Sequence, residues 1–312
     1  MTDDAIREAL ASRIPGDRIV RKAALAPWTT FKVGGSADWL VQARNAEEVR
    51  HACAVAREAG LPVVPLGGGS NVLVADAGVR GIVLRVHGGE ASALSDSRVR
   101  AGAGLTINGL VRWTVGRGYA GLEAWAGTPG TVGGALHGNA HFKGRCIGDL
   151  VESVELLDGW GGVLRVAHDD MAFAYDSSRL QQTKEVVISA DFRVGRGDPA
   201  ALRAVARESL AFRKRTQPLD SASAGCVFQN PDPSRDPLPP DIPPSAGALI
   251  DRAGLKGARE GGARVSTTHG NFIVNEGGAT AADIARLIER CRTTVRARFG
   301  VELRDEIMYL GF

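Results

Sequence analysis

The chain has 312 residues, 44% apolar and 23% charged, with a formal net charge of +3. That length suffices for two or three compact units, and the balance excludes both a disordered chain and a basic nucleic-acid-binding surface. The four cysteines, Cys53, Cys146, Cys226 and Cys291, form no close pair, so neither a disulfide framework nor a metal site is expected. The opening residues carry Asp3, Asp4 and Glu8, and no apolar run nears the roughly 18 residues of a membrane span. A cytoplasmic protein is expected.

In chain order, Ile6 and Leu10 have helical spacing, and the segment from Trp28 to Val41 reads as turn and strand. Asn45 caps a helix with Glu47 and Glu48 in its first turn and Gly60 at its stop. The apolar runs Leu61–Leu66, Asn71–Val74 and Gly81–Val86 favour strands, and Thr106 to Gly116 a capped helix. A glycine-rich stretch from Gly127 to Gly144 then breaks the pattern. Val151–Leu157 and Val163–Val166 form a hairpin about Asp158-Gly159, Glu185–Val194 alternates like a strand, and Asp198 caps a helix to Lys214.

Seven of the fourteen prolines lie between Pro231 and Pro244, an extended loop. Beyond it come a short helix from Ser245 and strands near Ala263–Ser266 and Phe272–Asn275. A helix from Thr280 presents Ile284, Leu287, Ile288, Cys291 and Val295 on one face, Gly300 ends it, and Val301 to Leu310 closes as a strand. The mixture gives an α+β fold. The expected division is 1–197, itself split near 85–100, and 198–312.

Glycine is over-represented, at 40 of 312 residues, or about 13% against an average of roughly 7%. Pro65-Leu66-Gly67-Gly68-Gly69-Ser70-Asn71 follows a strand. Three glycines let successive N–H groups converge on one anion, and Ser70 and Asn71 add donors. The loop is either a tight turn or a diphosphate cradle. It matches neither the Rossmann nor the Walker spacing. Gly127-Thr128-Pro129-Gly130-Thr131-Val132-Gly133-Gly134 is a second donor-rich loop that would admit a flat ring.

Several further pieces stand in order along the chain: Thr29–Gly35, Val74-Ala75-Asp76, Phe173-Ala174-Tyr175 with Ser178, and Gln217-Pro218. They continue as Ser223-Ala224-Gly225-Cys226-Val227-Phe228-Gln229-Asn230-Pro231, Gly254-Leu255-Lys256-Gly257, His269–Asn275 and Glu306. With the two glycine loops, this series resembles the shorter, second type of UDP-N-acetylenolpyruvoylglucosamine reductase. The resemblance implies a vanillyl-alcohol-oxidase-type FAD-binding domain followed by a smaller α+β substrate-binding domain. It also implies FAD and NADPH as cofactors, a small-molecule UDP-sugar enolpyruvyl ether as substrate, and a monomer. FAD would be held by Pro65, Gly67, Gly68, Gly69, Ser70 and Asn71, and by Gly127, Thr128, Gly130, Thr131, Gly133 and Gly134. Tyr175, Arg213, Arg215, Gln229 and Asn230 would bind substrate.

Hydride addition to an enolpyruvyl group leaves negative charge beside a carboxylate and demands one proton. The family assigns these tasks to an arginine after the Phe-Ala-Tyr motif, a serine and a C-terminal glutamate. Only Glu306 is unchanged. Cys226 replaces the serine; a free thiol ionises near 8.5 and can donate a proton, although a small buried hydrophobe is the alternative. Asp176 stands where the arginine should be, and Arg179, three residues on, is expected to supply the missing charge or else to lie on the surface. Asn139-Ala140-His141-Phe142-Lys143-Gly144 departs from the family's Asn-Ala-Gly-Ala-Tyr-Gly, with His141 and Lys143 set to alter flavin or phosphate contacts. A flavin oxidase of the same fold and a non-catalytic FAD or UDP-sugar binder remain as alternatives.

Overall fold

Short polar side chains start the helices. Asn45 Oδ1 accepts from the Glu48 N–H at 2.9 Å and opens Ala46–Glu58. Thr106 opens Ile107–Gly116, Asp198 opens Pro199–Thr216 and Ser245 opens Ala246–Arg252 in the same manner. Each cap satisfies an N–H that the helix leaves unpaired, a contribution of about 1 kcal/mol apiece. The structure is a computed structural model and describes residues 1–183 and 185–312.

The chain divides into two units, Met1–Ala23, Ala37–Gly68 and Arg80–Phe212 in one, Ala24–Ser36, Gly69–Val79 and Arg213–Phe312 in the other. The boundary therefore does not follow a single cut at 197/198. Two early segments fold with the C-terminal residues because they carry apolar side chains, Phe31, Val33 and Leu73, that belong to that unit's core.

The first unit holds two cores. A sheet in the order Ile19–Ala24, Ser36–Ala43, Val79–Val86, Val63–Leu66 buries Trp39, Val41, Ile82 and Leu84 against the helices Asp3–Ala11 and Ala46–Glu58. A five-stranded sheet runs Val163–Ala167, Val151–Leu157, Val186–Arg193, Arg98–Gly102, Ala91–Ser95, with the pairings all antiparallel. It packs Val99, Val154, Ala190 and Phe192 against Ile107–Gly116 and a short helix Val132–His137.

Among the elements that escaped the sequence reading are the strand Ile19–Ala24, the hairpin of Ala91–Ser95 and Arg98–Gly102, and the helix Val132–His137. The Ala91–Ser95 and Arg98–Gly102 hairpin is mostly small or charged and lacks a strand signature. The Val132–His137 helix contains Gly133-Gly134, residues that ordinarily argue against a helix. A Cβ on Gly133 would sit 3.3 Å from the Ala103 side chain, so close packing selects glycine there.

In the second unit the helix Ala281–Phe299 supplies Ile284, Leu287, Ile288, Cys291 and Val295 to the core, all buried. Thr280 and Asp283 form a capping box, and Gly300 ends the helix at φ +71°. Asp76 adds a second cap: its carboxylate accepts from the Ala281 and Ala282 N–H groups at 2.8 and 3.0 Å. The closing strand is shorter than expected, Met308–Leu310, and pairs in parallel with Val72–Val74. Glu306 precedes it, outside the strand, because residues 305–306 turn their backbone toward the Val227-Phe228 segment.

Asp76→Ala removes two charge-assisted bonds at one helix start. The expected loss is about 1–3 kcal/mol of stability, read as a lower urea midpoint with an unchanged slope. An unaltered midpoint would show that water replaces the carboxylate without loss.

Candidate active site

The two glycine loops meet inside the first unit. A Cβ added to Gly68 would lie 2.7 Å from the Gly130 Cα, and one added to Gly67 would lie 2.4 Å from Thr131 Oγ1. Backbone can approach backbone this closely only where side chains are absent. The N–H groups of Gly67 and Gly68 donate to no acceptor among the described residues. Two adjacent unpaired donors on a loop that accepts no side-chain bulk suit an anionic group. At Gly134 the space is open, with only Thr131 Oγ1 within 4 Å, at 3.6 Å, of an added Cβ. A flat ring can therefore lie against that turn of helix.

Beside them is a cavity of about 390 Å³, within the usual range for ligand pockets. Gly88, Gly89, Gly102, Gly104, Val187 and Ile188 form much of its wall. Ala103, also in the wall, accepts the Gly133 N–H at 2.8 Å, which ties the cavity to the second loop. Sequence reading passed over these residues, although the spacing Gly102-Ala103-Gly104 after a strand was a signal.

In the second unit Cys226 and Glu306 come from neighbouring segments. Phe228 and Asp305 form an antiparallel bridge, and the Glu306 N–H donates to Val227 O at 2.8 Å. The main chain at Cys226 bridges Phe272 on its other side. Asn71 reaches the same place, donating through Nδ2 to Glu306 O at 3.0 Å. Arg213 is buried, and desolvation lowers its pKa to about 10 while the nearby Cys226 sulfur pulls the other way. Arg215 is exposed, Gln229 donates its N–H to Arg304 O, and Asn230 Oδ1 accepts from the Ala246 N–H at 3.1 Å.

Arg179 does not stand open as the missing cation. Its Nε and Nη2 grip Glu185 at 3.0 and 2.8 Å, and Nη1 donates to Asp170 O at 3.2 Å. Glu185 is itself held by Thr183 Oγ1. The charge is neutralised locally, a structural assignment that sequence spacing alone could not give.

Asp176 instead meets His141. The imidazole Nδ1 donates to Asp176 Oδ1 at 2.8 Å, and the Tyr175 hydroxyl lies 3.5 Å from Nε2. The Asp176 side chain is 4% exposed and that of His141 24%. Lys143, at the tip of the same hairpin, turns to Glu208 at 3.6 Å and to the Phe212 ring on the helix Pro199–Thr216.

A family model described as an FAD binding domain matches residues 37–167, and one described as the UDP-N-acetylenolpyruvoylglucosamine reductase C-terminal domain matches residues 217–310. Both glycine loops lie inside the former match, Cys226 and Glu306 inside the latter. The class is thus an FAD-dependent oxidoreductase of α+β fold. The Heliobacterium modesticaldum UDP-N-acetylenolpyruvoylglucosamine reductase is 41% identical over 91% of this chain and 88% of its own. Reductase 2 of Symbiobacterium thermophilum is 42% identical over 96% and 94%. The crystal structure of the Thermus caldophilus enzyme matches with a TM-score of 0.75 at 33% identity, covering 94% of this chain and 98% of that one. The chain belongs to the UDP-N-acetylenolpyruvoylglucosamine reductase family.

Gly68→Ala forces the two loops apart at their backbones. FAD affinity is expected to fall by about tenfold or more, equivalent to roughly 1.4 kcal/mol, seen as a lower ratio of flavin to protein absorbance after purification. Full flavin content in the variant would refute the close-approach argument.

Proposed function

We propose that the protein uses NADPH and FAD to reduce the enolpyruvyl ether of UDP-N-acetylglucosamine to UDP-N-acetylmuramate, a peptidoglycan precursor. The observation that carries this reading is the pairing of the Cys226 and Glu306 segments, the family's proton-handling positions, in a chain 41–42% identical to named reductases. Neither a flavin oxidase nor a non-catalytic binder is favoured by relatives that carry the reductase name over 91–96% of the chain.

When bound, FAD accepts hydride from NADPH and passes it to the substrate double bond. Gly67, Gly68 and Ser70 are assigned to its diphosphate, Gly133 and Gly134 to the flat ring, and the 390 Å³ cavity to the adenosine end. Addition of hydride leaves the substrate carbon beside the carboxylate electron-rich. The Cys226 thiol gives that carbon its proton, and the desolvated Arg213 guanidinium, still charged near neutrality, stabilises the thiolate left behind. Glu306 is assigned to the same charge-handling step. Tyr175, Arg215, Gln229 and Asn230 are assigned to the UDP-sugar.

Among the described residues no helix is long and apolar enough to cross a membrane. The substrate is a small molecule. The reading sets the protein in the cytoplasm, where NADPH and nucleotide sugars are available, acting as a monomer.

Cys226→Ala tests the assignment under anaerobic conditions in a stopped-flow instrument. Bleaching of the flavin by NADPH should persist, while reoxidation by the enolpyruvyl sugar nucleotide slows by about 10²-fold or more, the usual worth of a positioned proton donor. Cys226→Ser should recover much of the rate. Wild-type reoxidation in the alanine variant would remove Cys226 from the mechanism.

A further inference from the structure

The stretch His269–Asn275 has no task in the reaction described above, yet its third residue carries a buried amide. Asn271 is 2% exposed. Both ends of its side chain go to the main chain of one residue. Oδ1 accepts from the Phe228 N–H at 2.9 Å, and Nδ2 donates to Phe228 O at 2.7 Å. A flipped amide would set donor against donor and acceptor against acceptor, so this pair of bonds admits one orientation. Asn271, Phe228, Cys226 and Glu306 all belong to the second unit.

The path of the main chain creates the need for that side chain. Residues 226–229 run between two neighbouring segments. On one side Cys226 bridges Phe272, and the Val227 N–H donates to Asn271 O at 2.9 Å. On the other, Phe228 bridges Asp305, and Val227 O accepts from the Glu306 N–H at 2.8 Å. In a regular antiparallel pair the N–H and C=O of one residue face the same neighbour. At Val227 they face opposite ones, so the chain turns over there. The bridge to Asp305 runs its bonds through Val227 O and the Gln229 N–H, which donates to Arg304 O at 2.9 Å. The N–H and C=O of Phe228 are left pointing the other way, and the Asn271 amide meets them as a strand would.

Asn271 is itself held. Its N–H donates to His269 Nδ1 at 3.2 Å, and the Phe272 N–H closes the same turn on His269 O at 3.0 Å. Gly247 packs against the ring, where an added Cβ would lie 3.0 Å from His269 Cε1. Burial, and after it the charge of Lys256, lowers the His269 pKa. Near neutrality Nδ1 therefore keeps the lone pair that the Asn271 N–H requires.

We propose that Asn271 is a positioning residue for the reduction: its amide holds the turned-over segment so that the Cys226 and Glu306 side chains keep one fixed arrangement. The inference rests on the reductase reading above and gives the His269–Asn275 stretch a part in the proton-transfer step. Misplacing a reacting group by about 1 Å costs on the order of 10²-fold in rate, and the clamp lies two residues from the thiol.

The experiment uses the purified flavoprotein under anaerobic conditions, with Asn271→Asp, Asn271→Ala and, as a control, Asp76→Ala. Aspartate keeps the shape and the bond from the Phe228 N–H but sets an oxygen against Phe228 O. Alanine loses both bonds. Asp76→Ala weakens the start of Ala281–Phe299 in the same unit and reports what lost stability alone does. Bleaching by NADPH should be unchanged in all three. Reoxidation at saturating enolpyruvyl sugar nucleotide should slow by about tenfold in Asn271→Asp and by about 10²-fold in Asn271→Ala. The half-saturating substrate concentration and the calorimetric affinity for UDP should stay at wild-type values, and Asp76→Ala should reoxidise normally.

Wild-type reoxidation in both Asn271 variants overturns the inference. So does a loss shared equally by bleaching, by UDP affinity and by the Asp76→Ala control, since that pattern belongs to general loosening. Failure of both variants to yield folded, flavin-bearing protein also overturns it, because Asn271 would then serve folding and not placement. A wild-type enzyme that NADPH bleaches but the enolpyruvyl substrate never reoxidises defeats the reductase reading itself and takes the inference with it.

Discussion

Close approach of bare backbone at Gly68 and Gly130 is the constraint on which the flavin-binding unit depends. A Cβ on Gly68 would lie 2.7 Å from the Gly130 Cα, so the loop after Val63–Leu66 and the loop before Val132–His137 can approach this closely only with glycine at position 68. That contact leaves adjacent N–H groups unpaired at Gly67 and Gly68. Gly67 is half-buried and Gly68 exposed, so water can meet these donors in the free protein, and a bound diphosphate would take them as adjacent, ready-aligned N–H groups. The pre-arranged donors are a physical reason for anion affinity without a Walker lysine or a Rossmann helix.

The second unit solves a different problem, the placement of two short segments against each other. Val227 receives the Glu306 N–H, Phe228 bridges Asp305, and Asn71 reaches Glu306 O. Asp76, five residues after Asn71, fastens the start of the long helix Ala281–Phe299. One early stretch of chain therefore braces both the helix and the carboxylate segment. This explains why the family pattern continues past the glycines to Asp76: the side chain is a helix cap.

Much of this was legible in the sequence. Helix starts followed from Asn45, Thr106, Asp198, Ser245 and Thr280, because capping is a local interaction between residues three or four apart. The apolar face of Ala281–Phe299 followed from its 3.6-residue period. The hairpin Ala91–Ser95/Arg98–Gly102 did not, since Arg98 and Arg100 answer to Glu152 and Asp191 on other strands, and no local pattern records those partners. The glycine-bearing helix Val132–His137 was missed for a related reason: Gly133 is selected by Ala103, thirty residues away. Both flavin loops were readable as donor-rich turns, yet the cavity at Gly88, Gly102 and Val187 required three distant segments to converge.

The charge at Asp176 shows the same limit at the level of chemistry. Sequence reasoning looked nearby for a compensating cation and found Arg179, but a guanidinium three residues away had its own partner in Glu185. The group that Asp176 does meet is His141, brought in by a hairpin whose tight turn has Lys143 and Gly144 at positive φ. Proximity in sequence is a poor guide where a buried charge is concerned, because the energy of an ion pair depends on distance and desolvation rather than on chain separation. An aspartate that reads as an isolated departure in the linear pattern is, in the fold, hydrogen-bonded to an imidazole distant in sequence.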